Sequence, residues 1–225
     1  MNVPVTSDVF QRLAKDCPSF HGEKEAGTRN WALAMPTLQW IASNLPKDAA
    51  TLETGCGYST VTFAASSGQH TVISPFAGEH DLIRKWCERN DMSTSHVRFY
   101  AQSSVDVLPG LEPSPLDMVL VDGAHEFPVP SIDWYYTADR VRKGGIMIID
   151  DVQIPTGYVL MDFLQMERGR WEQVHTIGRT CFFKKLTSEP VARGISFVDQ
   201  PWCLMDLSMK GRIKQKFRKM LGIAK

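Results

Sequence analysis

From about residue 28 to 168, short apolar runs alternate with stretches of helical spacing. Residues 50–54 lead into Gly55, 71–74 follow a Ser66-Ser67-Gly68 break, and 97–100 form a third β-rich piece. Residues 116–121 and 145–149 are near-continuous apolar runs, as expected for strands covered on both faces. Between them, 31–43 places Leu33, Leu38 and Ile41 near one helical face, and 59–65 follow a glycine turn. Residues 79–90 carry Leu82, Ile83 and Trp86 at helical spacing, and 158–165 is a further helical candidate. A helix over 132–141 runs up to Lys143-Gly144-Gly145, which reads as a basic last turn with a glycine stop. Strands alternating with helices of this length predict an α/β fold with a parallel, doubly wound sheet.

The pattern then changes. Residues 171–177 and 180–186 are two β-rich runs separated only by Gly178 and Arg179, which predicts a hairpin and hence an antiparallel edge. Plain dinucleotide-binding folds usually lack that hairpin. Beyond residue 187 the alternation is lost among Pro190, Gly194 and Pro201. The expected organisation is an N-terminal segment (1–27), one ligand-binding domain (28–186) and a C-terminal extension (187–225).

Composition narrows the class. With 225 residues, the chain is long enough for one large α/β domain. Hydrophobic residues make up 43%, charged residues 22%, and the formal net charge is zero, so no nucleic-acid partner is expected. No run of about 18 apolar residues suggests a membrane span, and the first ten residues do not read as a signal peptide. The five cysteines (Cys17, Cys56, Cys87, Cys181, Cys203) form no CxxC pair; free thiols in a reducing cytoplasm are the simplest account.

Three strand ends carry candidate chemistry. The first is Leu52-Glu53-Thr54-Gly55-Cys56-Gly57-Tyr58-Ser59. Its glycines let the backbone turn tightly and approach a ligand, and the following helix offers free N–H groups. Glu53 suits the ammonium of an amino-acid ligand rather than a phosphate. The second is the apolar run ending in Asp122-Gly123-Ala124-His125. In open α/β sheets ligands bind beyond the carboxyl ends of strands, so both side chains are expected to share a crevice with Glu53. The third is Gly144-Gly145-Ile146-Met147-Ile148-Ile149-Asp150-Asp151, where two like charges stand side by side. A divalent cation held by Asp122, Asp150 and Asp151 would relieve them, with Mg²⁺, Ca²⁺ or Mn²⁺ suited to such oxygen donors. The alternative is that Asp151 caps the next loop.

Together these features resemble class I S-adenosylmethionine (SAM)-dependent methyltransferases, most nearly the small-molecule O-methyltransferases related to macrocin and caffeoyl-CoA O-methyltransferases. The resemblance spans about residues 28–186. It implies a Rossmann-like, seven-stranded sheet, mostly parallel, with the last strand antiparallel. It implies that Glu53, Gly55 and Gly57, with Tyr58 and Ser59 opening the next helix, border the methionine part of SAM. By the same likeness Asp122 lies beside the sulfonium and substrate, His125 is the candidate general base, and Asp122, Asp150 and Asp151 match metal-ligand positions of the metal-dependent members. Two positions depart from the pattern. Ser74 stands where an acid often holds the ribose hydroxyls, with Glu79 as a substitute, and the adenine position falls on Gln102 or Ser103.

The reaction implied is methyl transfer from SAM to a hydroxyl of a small molecule, with His125 taking the proton and a metal assisting. A homo-oligomer is compatible with the sequence. Residues 209–225 contain seven Lys or Arg and no acid, with Ile213, Phe217, Met220 and Leu221 at roughly helical spacing. Contact with an anionic membrane surface is one reading of that tail; a solvated helix packed by its apolar stripe is the simpler one. Phe127, Pro128, Pro130, Trp134, Tyr135 and Tyr136 either line an acceptor pocket or pack a helix. Two rival functions remain: a nucleotide-dependent oxidoreductase, disfavoured because Thr60 replaces the third glycine of its fingerprint, and a SAM-binding module without turnover.

Overall fold

The computed structural model describes residues 5–21, 32–193 and 196–204, together with Ile213, Phe217 and Met220. Seven strands form one sheet in the order β3-β2-β1-β4-β5-β7-β6. They are β1 (Ala50–Thr54), β2 (Gln69–Ile73), β3 (Val97–Tyr100), β4 (Leu116–Val121), β5 (Val141–Ile149), β6 (Trp171–Ile177) and β7 (Thr180–Lys185). The first five are mutually parallel, while β7 runs antiparallel to both β5 and β6. The expected fold class is therefore the observed one.

Two helical layers cover the sheet, and the pleat assigns each strand residue to one of them. On one side Val119, Val121, Met147, Ile149, Cys181 and Phe183 pack with Trp134 of α6 (Val129–Thr137) and Leu160 and Leu164 of α7 (Pro155–Met166). On the other, Met118, Leu120, Ile148 and Phe182 pack with Leu38 and Ile41 of α2 (Met35–Asn44), Val61 and Phe63 of α3 (Tyr58–Ser66) and Ile83 and Trp86 of α4 (Ala77–Arg89). Every residue of β4 is buried, as its near-continuous apolar run predicts, Asp117 included. Proline in the first turn of α2, α6 and α7 occupies a place where its missing N–H leaves no helical bond unmade.

The helix expected over 132–141 is displaced. It spans Val129–Thr137, and Val141 already pairs with Leu116 at the start of β5. Sheet pairing and burial of Val141 outweigh the continued helical spacing. The Gly144-Gly145 step marks an irregular register inside β5, not a helix stop, with Gly144 at φ 85°. Gly145 lies so close to Asp117 that a Cβ there would sit 2.9 Å from its carbonyl oxygen.

Outside the 28–186 span, α1 (Val5–Asp16) buries Val9 and Leu13 in the α2–α4 layer, and Phe20 follows them. After β7, Val191 enters the opposite cluster, and the Trp202 indole donates to Asp162 at 3.2 Å. Most of the basic tail lies outside the described residues. Ile213, Phe217 and Met220 are helical and exposed. Among the described residues, no helix is long and apolar enough to cross a membrane. All five cysteines are free thiols.

One core acid belongs to α6. Asp133 is fully buried, and burial pushes its carboxyl up to about 6, against the opposing pull of the Ser104 and Thr54 hydroxyls. Between the ordinary value of 3.8 and about 6, the folded chain keeps a proton that the unfolded chain has released. Stability therefore falls as pH rises through that window. Asp133→Asn is expected to be more stable than wild type above pH 6, by at most about 3 kcal/mol, with the advantage gone near pH 4. Urea midpoints measured across that range check it.

Candidate functional site

The carboxyl ends of β1, β4 and β5 lie side by side, and the turn after β1 fits tightly against the turn after β4. Gly55 adopts φ 89° and donates its N–H to Ile73 at 2.9 Å. A Cβ at Gly55 would lie 2.2 Å from the Asp122 carbonyl oxygen, so only glycine fits. Gly123 returns the contact: its absent Cβ would meet Thr54 at 3.2 Å. This is how Glu53 and Asp122 come to border one crevice.

Glu53 is fully buried. Its Oε1 accepts from the Thr60 hydroxyl and faces His70 Nε2 at 3.1 Å. Thr60 in turn accepts the Gly57 N–H at 2.9 Å, so one hydroxyl locks the glycine turn to the acid. Glu53 Oε2 has no hydrogen-bond partner, and a buried carboxylate oxygen left so is costly unless a ligand donor satisfies it. Tyr58 and Ser59 open α3 as expected, and Tyr58 packs edge-on against Phe20.

At the end of β2, Ser74 is buried, and its place is shared by Glu79 from the first turn of α4. Glu79 Oε2 accepts from Cys56 Sγ at 3.2 Å and lies 3.5 Å from Ser74 Oγ, while Oε1 meets His21 Nδ1 at 3.0 Å. Burial pushes the Cys56 thiol far up, so it stays protonated and donates. His21 also approaches the glycine turn, 3.5 Å from where a Gly57 Cβ would be. Gln102 is exposed, and Ser103 precedes the single turn α5 (Ser104–Val107). Gln102 lines a groove that runs across β1–β3 to Gly68 and His96, at the opposite strand ends.

Beyond β4 and β5 the structure gathers Asp122, His125 and Asp151, one ligand-type atom of each lying within 4.8 Å of the others. Asp150 is not among them; its carboxylate takes the Thr180 hydroxyl of β7 instead. His125 Nε2 lies 3.1 Å from Asp151 Oδ2, and the Thr156 hydroxyl at the start of α7 donates to the His125 carbonyl at 2.6 Å. Asp151 Oδ1 accepts from Gln153 Nε2 at 2.8 Å and Arg179 Nε at 2.9 Å. Asp122 is pushed well above the usual carboxylate range, by burial first and then by the charges of Asp150, Asp151 and Glu53; Arg179 opposes this. Burial likewise raises Asp150. Such a crowd of carboxylates favours a cationic ligand.

Trp134 is buried edge-on against Phe163, so it packs the helix. Phe127 is 78% exposed and Tyr158 53%, which leaves these rings free beside the His125 loop and the α7 N-terminus. Sequence reasoning missed His21, Thr60 as a partner of Glu53, Thr180 and Arg179. The Gly178-Arg179 turn was legible, but nothing local tied it to Asp151.

The strand order and the reversed seventh strand give the Rossmann-like architecture that the chain shares with solved methyltransferases. Residues 52–152 match a family model described as a methyltransferase domain. The O-methyltransferase TomG of Streptomyces achromogenes, involved in tomaymycin synthesis and solved with SAM, is 18% identical with a TM-score of 0.57, over 83% of this chain and 92% of that one. A Bacillus cereus O-methyltransferase solved with SAH is 18% identical with a TM-score of 0.55, over 82% and 92%. An rRNA methylase from Streptococcus thermophilus is 10% identical with a TM-score of 0.53, over 68% and 96%. No curated protein matches the chain.

The glycine contact has a direct consequence. Gly55→Ala is expected to cost at least about 2 kcal/mol, because the new methyl overlaps the β4 turn at a left-handed φ. Gly78→Ala, in open space on α4, is expected to be neutral or to stabilise by up to about 1 kcal/mol. Denaturant midpoints of both variants check the contrast.

Proposed function

We propose that this chain transfers a methyl group from SAM to a hydroxyl of a small molecule. The observation that carries the reading is the unpartnered Oε2 of Glu53, buried beside a glycine turn that no Cβ can occupy. The site fits SAM in kind. Glu53 would hold its ammonium group, the Gly55–Gly57 turn would take the methionine part, and Glu79 with Ser74 would face the ribose hydroxyls. Bound SAM supplies an electrophilic methyl on a sulfonium, whose positive charge suits the crowd around Asp122.

His125 is the proton acceptor in this reading. Its ring is held by Asp151 through one nitrogen, which leaves the other to take the acceptor's proton. The His125–Asp151 pair thus follows the logic by which a carboxylate orients an imidazole base. Deprotonation and alignment together make the hydroxyl a competent nucleophile. Phe127 and Tyr158, exposed at the mouth, offer apolar surface to an acceptor.

A divalent ion fits less well. The donors are of the right kind, but Asp150 is turned to Thr180, and both oxygens of Asp151 are engaged by protein donors. No step is therefore assigned to a metal.

Calorimetric titration with SAM is the decisive test, and a chain that does not bind it refutes the reading. Glu53→Gln is expected to weaken SAM binding by about tenfold to a hundredfold. His125→Ala is expected to lower kcat by about 10² to 10⁴ while SAM affinity stays within about threefold. Full turnover by that variant on a hydroxyl acceptor would remove His125 from the role.

A further inference from the structure

The turn between β6 and β7 reaches across to the loop after β5, and three bonds stitch it there. Val152 N–H donates to the Arg179 carbonyl at 3.1 Å, Arg179 Nε donates to Asp151 Oδ1 at 2.9 Å, and the Thr180 hydroxyl donates to Asp150. The backbone of Arg179 is thus anchored to the same loop that its side chain serves. That removes most of the freedom a surface arginine would keep, although the side chain is 45% exposed.

Its target is equally fixed. Asp151 has a left-handed φ of 52°, and its carbonyl accepts the Ile154 N–H at 2.9 Å. The helix behind it comes so close that a Cβ on Gly157 would lie 2.7 Å from that carbonyl oxygen. A small acid tolerates this conformation; the packing of α7 and the hairpin enforces it.

A divalent cation at this cleft would need lone pairs on Asp151 and would meet a second positive charge on the same carboxylate. Arg179 already supplies that charge, with its guanidinium 2.9 Å from Asp151 Oδ1. We infer that Arg179 takes the place of a divalent cation here: it holds Asp151, and through it His125, so that methyl transfer proceeds without a bound metal. The inference rests on the reading proposed above. Arg179 is a positioning residue, since it touches Asp151 rather than the reacting groups.

The test uses the full chain with Mn²⁺ alone as probe, read by electron paramagnetic resonance and by melting temperature. Wild type is expected to show no Mn²⁺ binding tighter than millimolar and to keep its turnover after exhaustive chelation. Arg179→Ala is expected to bind Mn²⁺ at least about tenfold tighter, and Arg179→Gln, which keeps more of the side-chain volume, should behave alike. Adding Asp151→Asn to either variant should abolish the gain. Turnover of Arg179→Ala should drop by about tenfold and be partly restored by millimolar Mn²⁺, a rescue that a purely structural role for Arg179 would not give. Micromolar Mn²⁺ binding by wild type that is lost in Asp151→Asn, or no gain in either Arg179 variant, overturns the inference. The Mn²⁺ measurements need no turnover, so they fail or succeed independently of SAM binding.

Discussion

Four carboxylates finish three neighbouring strands, and their mutual repulsion is the constraint around which this edge of the molecule is built. Glu53 lies in the last pleat of β1, and Asp122, Asp150 and Asp151 follow β4 and β5; these three strands are adjacent in the sheet. Each is handled differently. Glu53 is held by Thr60 and His70, Asp150 by Thr180, and Asp151 by Arg179, Gln153 and His125. Asp122 is raised by its burial first, and the repulsion of the other three acids adds to that. A protein that only needed to fold would not gather these charges at a partly open crevice. The arrangement makes sense if a cation completes it from outside, and a sulfonium is such a cation.

The tight seating of Gly55 on the Asp122 backbone turns this crowd into a site. It fixes the spacing of the β1 and β4 turns at backbone level, so the acids cannot relax by moving apart. Thr60 illustrates the economy of the arrangement. The residue that departs from a dinucleotide-binding fingerprint bonds Glu53 with its hydroxyl and the turn with its oxygen.

Much of this was legible in the sequence because it is local. The 97–100 and 116–121 runs are β3 and β4 to the residue, and in β4 burial of every position leaves no competing pattern. Glu53, Asp122, His125 and Asp151 follow from one rule about strand ends. What was not legible depends on long-range contacts. The extra turn expected at the end of α6 is lost to a sheet partner 25 positions earlier, Leu116 opposite Val141. Asp150 and Asp151 look equivalent in sequence, yet the pleat turns one toward β7 and the left-handed backbone turns the other toward His125. His21 and Arg179 come from either end of the chain, and no local spacing announces where their side chains finish.

The fold alone says little about what receives the methyl. An rRNA methylase and an O-methyltransferase of tomaymycin synthesis share this architecture at comparable similarity. Discrimination must then reside in what this chain adds around the common edge. Phe127 and Tyr158 remain exposed on two elements that the Thr156–His125 bond ties together. Their position relative to His125 is therefore set by that contact. An acceptor that stacks on these rings would be aligned for deprotonation by the act of binding, whereas a charged polymer would find a crevice already crowded with carboxylates. Under the proposed function, that asymmetry favours a small, partly apolar hydroxyl compound over a nucleic acid as the acceptor.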